Sequence, residues 1–124
     1  MISREPGSGT RGAFQELVRF QDGELVGNAI VFDGTGAIKS AIAGNPDAIG
    51  YISLGSVDNT IKAVSVDGVA ATNDNVKAGS YKIARPFILV TRSYVIHPAA
   101  TAFLNWIMSD SGQVIVSRNW ISVN

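Results

Sequence analysis

Two glycine-x-glycine turns, Gly7-Ser8-Gly9 and Gly34-Thr35-Gly36, each open a stretch whose apolar residues recur at helical spacing, and together they fix where two helices begin. Glycine lets the backbone turn sharply into a helix, and a neighbouring hydroxyl can cap the first turn. After the first turn, Phe14, Leu17 and Val18 share one face, which predicts a helix over about Thr10–Phe20 that stops near Asp22-Gly23. After the second, Ile38, Ala41 and Ile42 do the same, and Gly44 is placed to cap that helix before Asn45-Pro46. Ala29–Phe32, between them, reads as a buried strand.

Further along, Ala48–Leu54 and Thr60–Val66 are rich in β-branched and aromatic residues and are expected to be strands. Thr72 or Asn73 should cap a short helix closed by Gly79. The segment from Tyr81 to Arg92 reads as extended, and Pro86, which lacks an amide donor, places it at an edge or in a crossing. Pro98 suits the first position of a helix whose apolar face is Ala99, Ala102, Phe103, Trp106 and Ile107. Ser111-Gly112 is expected to interrupt it before a last turn through Val116. Strands alternating with helices give the α/β class, a mixed sheet flanked by helices.

Composition narrows the function. A chain of 124 residues that is 46% hydrophobic and 16% charged has the apolar content of one globular unit. Ten basic residues balance ten acidic ones, so no net positive field would hold nucleic acid or an anionic membrane, and any anion site must be local. The absence of cysteine removes disulfides and thiolate metal sites while leaving the compartment open. No apolar run approaches the roughly 18 residues of a membrane span, and the opening MISREPGSG lacks the basic and apolar regions of a secretory signal.

The first glycine turn admits three readings. Gly7, Gly9 and Gly12 satisfy G-x-G-x-x-G, with Asp33 placed as a ribose-binding acid, so a small dinucleotide- or nucleotide-binding enzyme domain is one. That fingerprint needs a buried strand before the turn, and MISREP, with two charges and a proline, is expected to supply none. The second is structural: the glycines admit the chain to a helix capped by Ser8 or Thr10. The third is an oxyanion site, in which the helix N-terminus offers unpaired amides, Ser8 and Thr10 offer hydroxyls, and Arg4 or Arg11 adds a charge-assisted contact. The turn carries no base, no nucleophile and no phosphate-loop lysine, so this third reading implies capture without a reaction: no enzyme, no cofactor, no metal.

Other residues read more plainly. His97, the one histidine, precedes Pro98 and suits a helix cap. Asp22, Glu24, Asp33, Asp58, Asp67 and Asp74 sit in turn-like positions. Trp106, Trp120, Tyr51 and Tyr81 read as core or interface anchors, and Gly34-Thr35-Gly36 as an ordinary helix start or a second anion contact.

The segments "SREPGSGTRGAF", "AIAGNPDAIGYISLGSV", "VSVDGVAATNDNVKAGSYKIARPF" and "NWIMSDSGQVIV", in this order, resemble the second half of the phosphate-binding proteins of bacterial and archaeal ABC phosphate transporters, across essentially the whole chain. The resemblance implies one lobe of a type II periplasmic-binding-protein fold, a permease partner, and a periplasmic or extracellular location. It further implies that the hydroxyl and amide of Ser8, the amide of Gly9, and the amide and hydroxyl of Thr10 contact phosphate. Arg4 matches the family's anion-binding arginine, and Arg11 follows as a secondary candidate. The family's position at Pro6 usually holds an acidic residue that orients the arginine, so Arg4 is expected to lack that partner.

By the same resemblance, residues 1–80 form the second ligand-binding lobe and residues 81–124 the return segment that completes a first lobe. That first lobe supplies further donors and a carboxylate that rejects sulfate, so weak binding with little phosphate-over-sulfate preference is expected without it. Phe87, Ile88, Leu89, Phe103 and Trp106 would lose their usual cover, which predicts a homodimer, with exchange of C-terminal segments as one form. An inactive folded fragment is the remaining alternative.

Overall fold

A computed structural model describes residues 1–20, 27–92 and 94–123. The chain divides into two compact units, Met1–Arg85 and Pro86–Asn124.

The first unit is built on a parallel pair of short strands, β1 (Ile2–Arg4) and β2 (Ile30–Phe32), in the register Ile2↔Ile30, Ser3↔Val31, Arg4↔Phe32. Parallel neighbours need a crossover. It contains α1 (Gly9–Val18), and β2 runs directly into α2 (Gly34–Ala43). α2 lays Ile38, 1% exposed, over β1, where Ile2 is 5% exposed; these are the only fully buried apolar side chains among the described residues. Tyr51 adds a second anchor, stacking on Phe14 of α1 with ring centroids 4.2 Å apart while its hydroxyl lies 2.7 Å from Ser3 Oγ. The α/β class follows, and the described sheet is two-stranded and parallel.

β1 corrects one expectation: a buried strand does precede the glycine turn, formed by ISR despite its arginine. α1 starts one residue before the predicted Thr10 and ends when Arg19 adopts the left-handed conformation (φ 61°), donating its amide to the Gln15 carbonyl. The predicted stop at Asp22-Gly23 and the reading of Glu24 lie outside the described residues.

Two predicted strands are not strands. Segment 48–54 reaches the sheet through one backbone bond, Ile2 N to the Ile49 carbonyl at 2.8 Å, and then forms a single 3-10 turn at Leu54–Ser56. One bond does not make a ladder. In segment 60–66, the Asp58 carboxylate captures the amide and hydroxyl of Thr60 at 3.0 and 2.6 Å, which turns the chain, and the only pairing is an isolated antiparallel bridge between Val66 and Val69. α3 (Asn73–Lys77) follows with Thr72 as its cap and Gly79 (φ 71°) closing it, as the sequence indicates.

The second unit carries α4 (Pro98–Ile107) and α5 (Asp110–Val116). His97 Nδ1 accepts the Ala99 amide at 3.2 Å, so the histidine is a helix cap. The predicted break at Ser111-Gly112 is displaced: Ser109 caps α5, and Gly112 lies inside it. A Cβ on Gly112 would collide with the Trp106 carbonyl oxygen and lie 2.7 Å from Ile107 Cα, so glycine serves close helix approach there. Buried Gln113 locks the corner, donating to the Ile107 carbonyl at 2.8 Å and accepting the Val123 amide at 2.9 Å.

Much apolar surface stays outside. Phe87 is 80% exposed, Val90 89% and Phe103 54%.

Candidate functional site

The site is assembled where β1 hands over to α1. Gly7 takes φ 86°, a conformation that costs glycine nothing and a side-chain residue a good deal. Ser8 then occupies the N-cap, its Oγ accepting the Arg11 amide at 3.2 Å and its carbonyl accepting the Gly12 amide at 3.0 Å. Between them the amides of Gly9 and Thr10, and the Thr10 hydroxyl, have no hydrogen-bond partner among the described residues. Unpaired amides aligned at the positive end of a helix dipole are suited to an anion. Thr10 sits within α1, so Ser8 is the cap and Thr10 keeps its hydroxyl for other partners.

An open depression of about 400 Å³ lies here, lined by Pro6, Gly7, Ser8, Arg11, Gly12 and Gln15. Arg11 is tethered across the turn, Nη1 donating to the Arg4 carbonyl at 3.1 Å. Of the four residues expected at the turn, Ser8 and Arg11 line this depression, whereas Gly9 and Thr10, in the first turn of α1, do not. The Arg4 side chain turns toward α2 instead, where Nη1 donates to Thr35 Oγ1 at 3.2 Å.

Arg4 does not lack an orienting carboxylate. Glu5 supplies it from the neighbouring position, accepting from Arg4 Nε and Nη2, each at 2.7 Å, and Pro6 is not needed for the task. Glu5 Oε2 also accepts the Gly34 amide at 3.4 Å, doing at the start of α2 what the N-cap residue Asp33 does not do with its own side chain. The hydrogen bond from Arg4, supported by backbone amides, lowers the Glu5 carboxyl from 4.5 to about 2, and Glu5 in turn raises the Arg4 guanidinium. The pair is ionised at any physiological pH.

Sequence reasoning missed Glu5 and the double hydrogen bond of Tyr51, whose Oη also accepts the Arg4 amide at 3.2 Å; it weighed Thr35 only as part of a helix start or a second anion contact, not as a partner of Arg4. The signal for Thr35 was present in its glycine-flanked turn, but only the β1–β2 register places it beside Arg4. Among the described residues no group of three or more histidine, cysteine, aspartate or glutamate side chains is placed to hold a metal. No helix among them is long and apolar enough to cross a membrane.

Comparison with known proteins gives this geometry a context. Residues 1–111 match the family model described as the PBP superfamily domain. The chain is 41% identical over 127 aligned residues to the phosphate-binding protein PstS 2 of Streptococcus agalactiae, covering 96% of this chain and 43% of that protein. A crystal structure from Clostridium perfringens, described as a phosphate ABC transporter substrate-binding protein with bound phosphate, superposes with a TM-score of 0.89 at 48% identity, covering 99% of this chain and 51% of the other. A phosphate-binding protein of a phosphate ABC transporter from Streptococcus pneumoniae gives 0.83 at 42% identity, over 95% and 48%. The chain spans about half the length of the relatives it matches.

Proposed function

Because this chain belongs to the PBP superfamily, with the type II periplasmic phosphate-binding fold of its structural neighbours, we propose that it captures inorganic phosphate, or an oxyanion of the same shape, without covalent chemistry. The binding locus is the N-terminus of α1. Gly9 and Thr10 give their amides, Thr10 its hydroxyl, Ser8 its hydroxyl and, on release from the Glu5 carbonyl that it meets at 3.3 Å, its amide, and Arg11 a cationic flank, with Arg4 the second arginine once its side chain leaves Thr35. The observation that carries this reading is the pair of unpartnered amides at Gly9 and Thr10, in a chain 48% identical to a structure with bound phosphate.

In this reading residues 1–80 are the ligand-binding lobe, and 81–124 the return segment, of the solute-binding component of an ABC phosphate transporter or a piece of one. Its partner is then a permease and its location periplasmic or extracellular. The rival dinucleotide reading gains the strand β1 that it required. It has no support from the relatives, whose names refer to phosphate.

Calorimetric titration with phosphate, sulfate and NAD in separate arms tests the proposal. Heat with phosphate, lost on replacing Thr10 by Val, is the expected result; heat with NAD alone would select the rival, and no heat with any of them the inactive fragment. We also propose that a second copy of the chain covers the apolar side chains left exposed after Pro86. Light scattering that shows only monomer across a wide concentration range refutes that.

A further inference from the structure

Four consecutive apolar residues, Phe87, Ile88, Leu89 and Val90, are 80, 72, 51 and 89% exposed. Their backbone is neither helix nor strand, and among the described residues it makes no hydrogen bond. The composition is nevertheless that of a strand, β-branched and aromatic, with Pro86 at the first position, where a missing amide does least harm. Successive side chains of a strand point to opposite faces, so an unbroken apolar run belongs in a sheet that is covered on both sides.

Covering these side chains takes water from the backbone as well, and amides and carbonyls buried without partners are costly. Whatever covers the run must therefore offer it a strand edge, which the face of a helix does not have. The same unit holds a helix with the complementary need. α4 carries no charged residue, and of its side chains only Leu104 and Ile107 are half-buried, the others being exposed. A helix without a charged face belongs in an interior. From Pro86 to Asn124 the charged side chains are Arg92, Asp110 and Arg118 alone, the depletion that marks an interface core. The area is sufficient too: the exposed parts of Phe87–Val90, Phe103 and Trp106 come to roughly 800 Å² per copy, and a standard interface takes about 800 Å² from each partner. A second copy brings both things the first one lacks, an unpaired strand and an uncovered apolar helix.

Resting on the second-copy reading above, we propose that the two copies join through Phe87–Val90, which pairs antiparallel with the same run of its mate across a two-fold axis, with α4 of each copy buried in the same interface. The same patch serves on both sides, so the contact closes at two chains.

The chain has no cysteine, so Phe87→Cys, Ile88→Cys, Leu89→Cys and Val90→Cys, made one at a time, can form a disulfide only between copies. Hydrogen-bonded and non-hydrogen-bonded pairs alternate along an antiparallel ladder, so two-fold symmetry must set one residue directly opposite itself. There the Cα atoms lie about 4.5–5.5 Å apart, within disulfide reach; one residue away, the mates are displaced by about 6.6 Å along the strands and fall out of it. Mild oxidation should therefore give one position among the four that cross-links several-fold more than its neighbours, while Val64→Cys, exposed in the first unit, stays uncross-linked.

Light scattering on the unsubstituted chain separates the ways of failing. Monomer at every concentration sinks the second-copy reading, and the strand pairing with it. A dimer in which none of the four positions cross-links, or all four do so equally, keeps the second copy and overturns the pairing. Assemblies that go on growing with concentration overturn the two-fold contact.

Discussion

Replacing Tyr51 by Phe removes one oxygen atom and tests how β1 aims the turn. The Tyr51 hydroxyl lies 2.7 Å from Ser3 Oγ and 3.2 Å from the Arg4 amide, and Ser3 is completely buried. The ring, which stacks on Phe14 at 4.2 Å with an interplanar angle of 15°, is kept. Two β1 polar groups therefore lose their partner while no apolar packing changes. A buried group left unsatisfied costs about 1–3 kcal/mol, and the Arg4 amide is only partly buried, so a total near 2 kcal/mol is expected. Urea unfolding followed by circular dichroism measures it as a lowered midpoint at unchanged slope. Phosphate affinity should fall as well, since β1 positions both Arg4 and the turn after it. A loss below about 0.5 kcal/mol, within the range of an ordinary surface change, would refute the claim that this hydroxyl holds β1.

Three further outcomes follow from the same structure. Ser8→Ala should cost about 1 kcal/mol by removing the cap on the Arg11 amide, and Ser8→Gly less, measured by thermal unfolding with phosphate absent; equal costs would argue against a capping role. Glu5 and Asp58 have carboxyl pKa values lowered in the folded chain, Glu5 to about 2 by Arg4 and Asp58 by Lys39 and Thr60. Their unfolded forms bind protons first, so their stabilisation is complete above about pH 4.5 and is lost as pH falls toward 2; denaturant midpoints that stay level down to pH 2.5 contradict this. Gly112→Ala should destabilise the second unit by about 3 kcal/mol or more, because its Cβ has no room against the Trp106 carbonyl, and tryptophan fluorescence during unfolding reports it, both tryptophans lying in that unit.

What the sequence revealed about the fold is what local chemistry decides. The starts of α1 and α2 follow from glycine turns and apolar periodicity, and the caps at Thr72 and His97 follow from residue type and the next few neighbours. Segments 48–54 and 60–66 had the composition of strands, but pairing is not local: one had a single backbone-to-backbone bond to offer β1, and the other was folded over by Asp58. Gly112 reads as a helix breaker in sequence, and only the closeness of α4 shows why it is tolerated inside α5. At the site, Ser8, Gly9, Thr10 and Arg11 were legible because the motif and the helix start coincide. Glu5 was not, because adjacency to Arg4 says nothing of a two-point fork, and the loss of an acid at Pro6 suggested an arginine without a partner.

The central claim is that the start of α1 is an anion seat. Titrating phosphate into the ¹⁵N-labelled chain and following every amide tests it most directly. The account predicts the largest saturable downfield shifts at Gly9 and Thr10, with smaller ones at Ser8 and Arg11. Phosphate-dependent shifts confined to other amides, with Gly9 and Thr10 unmoved at saturation, would contradict it.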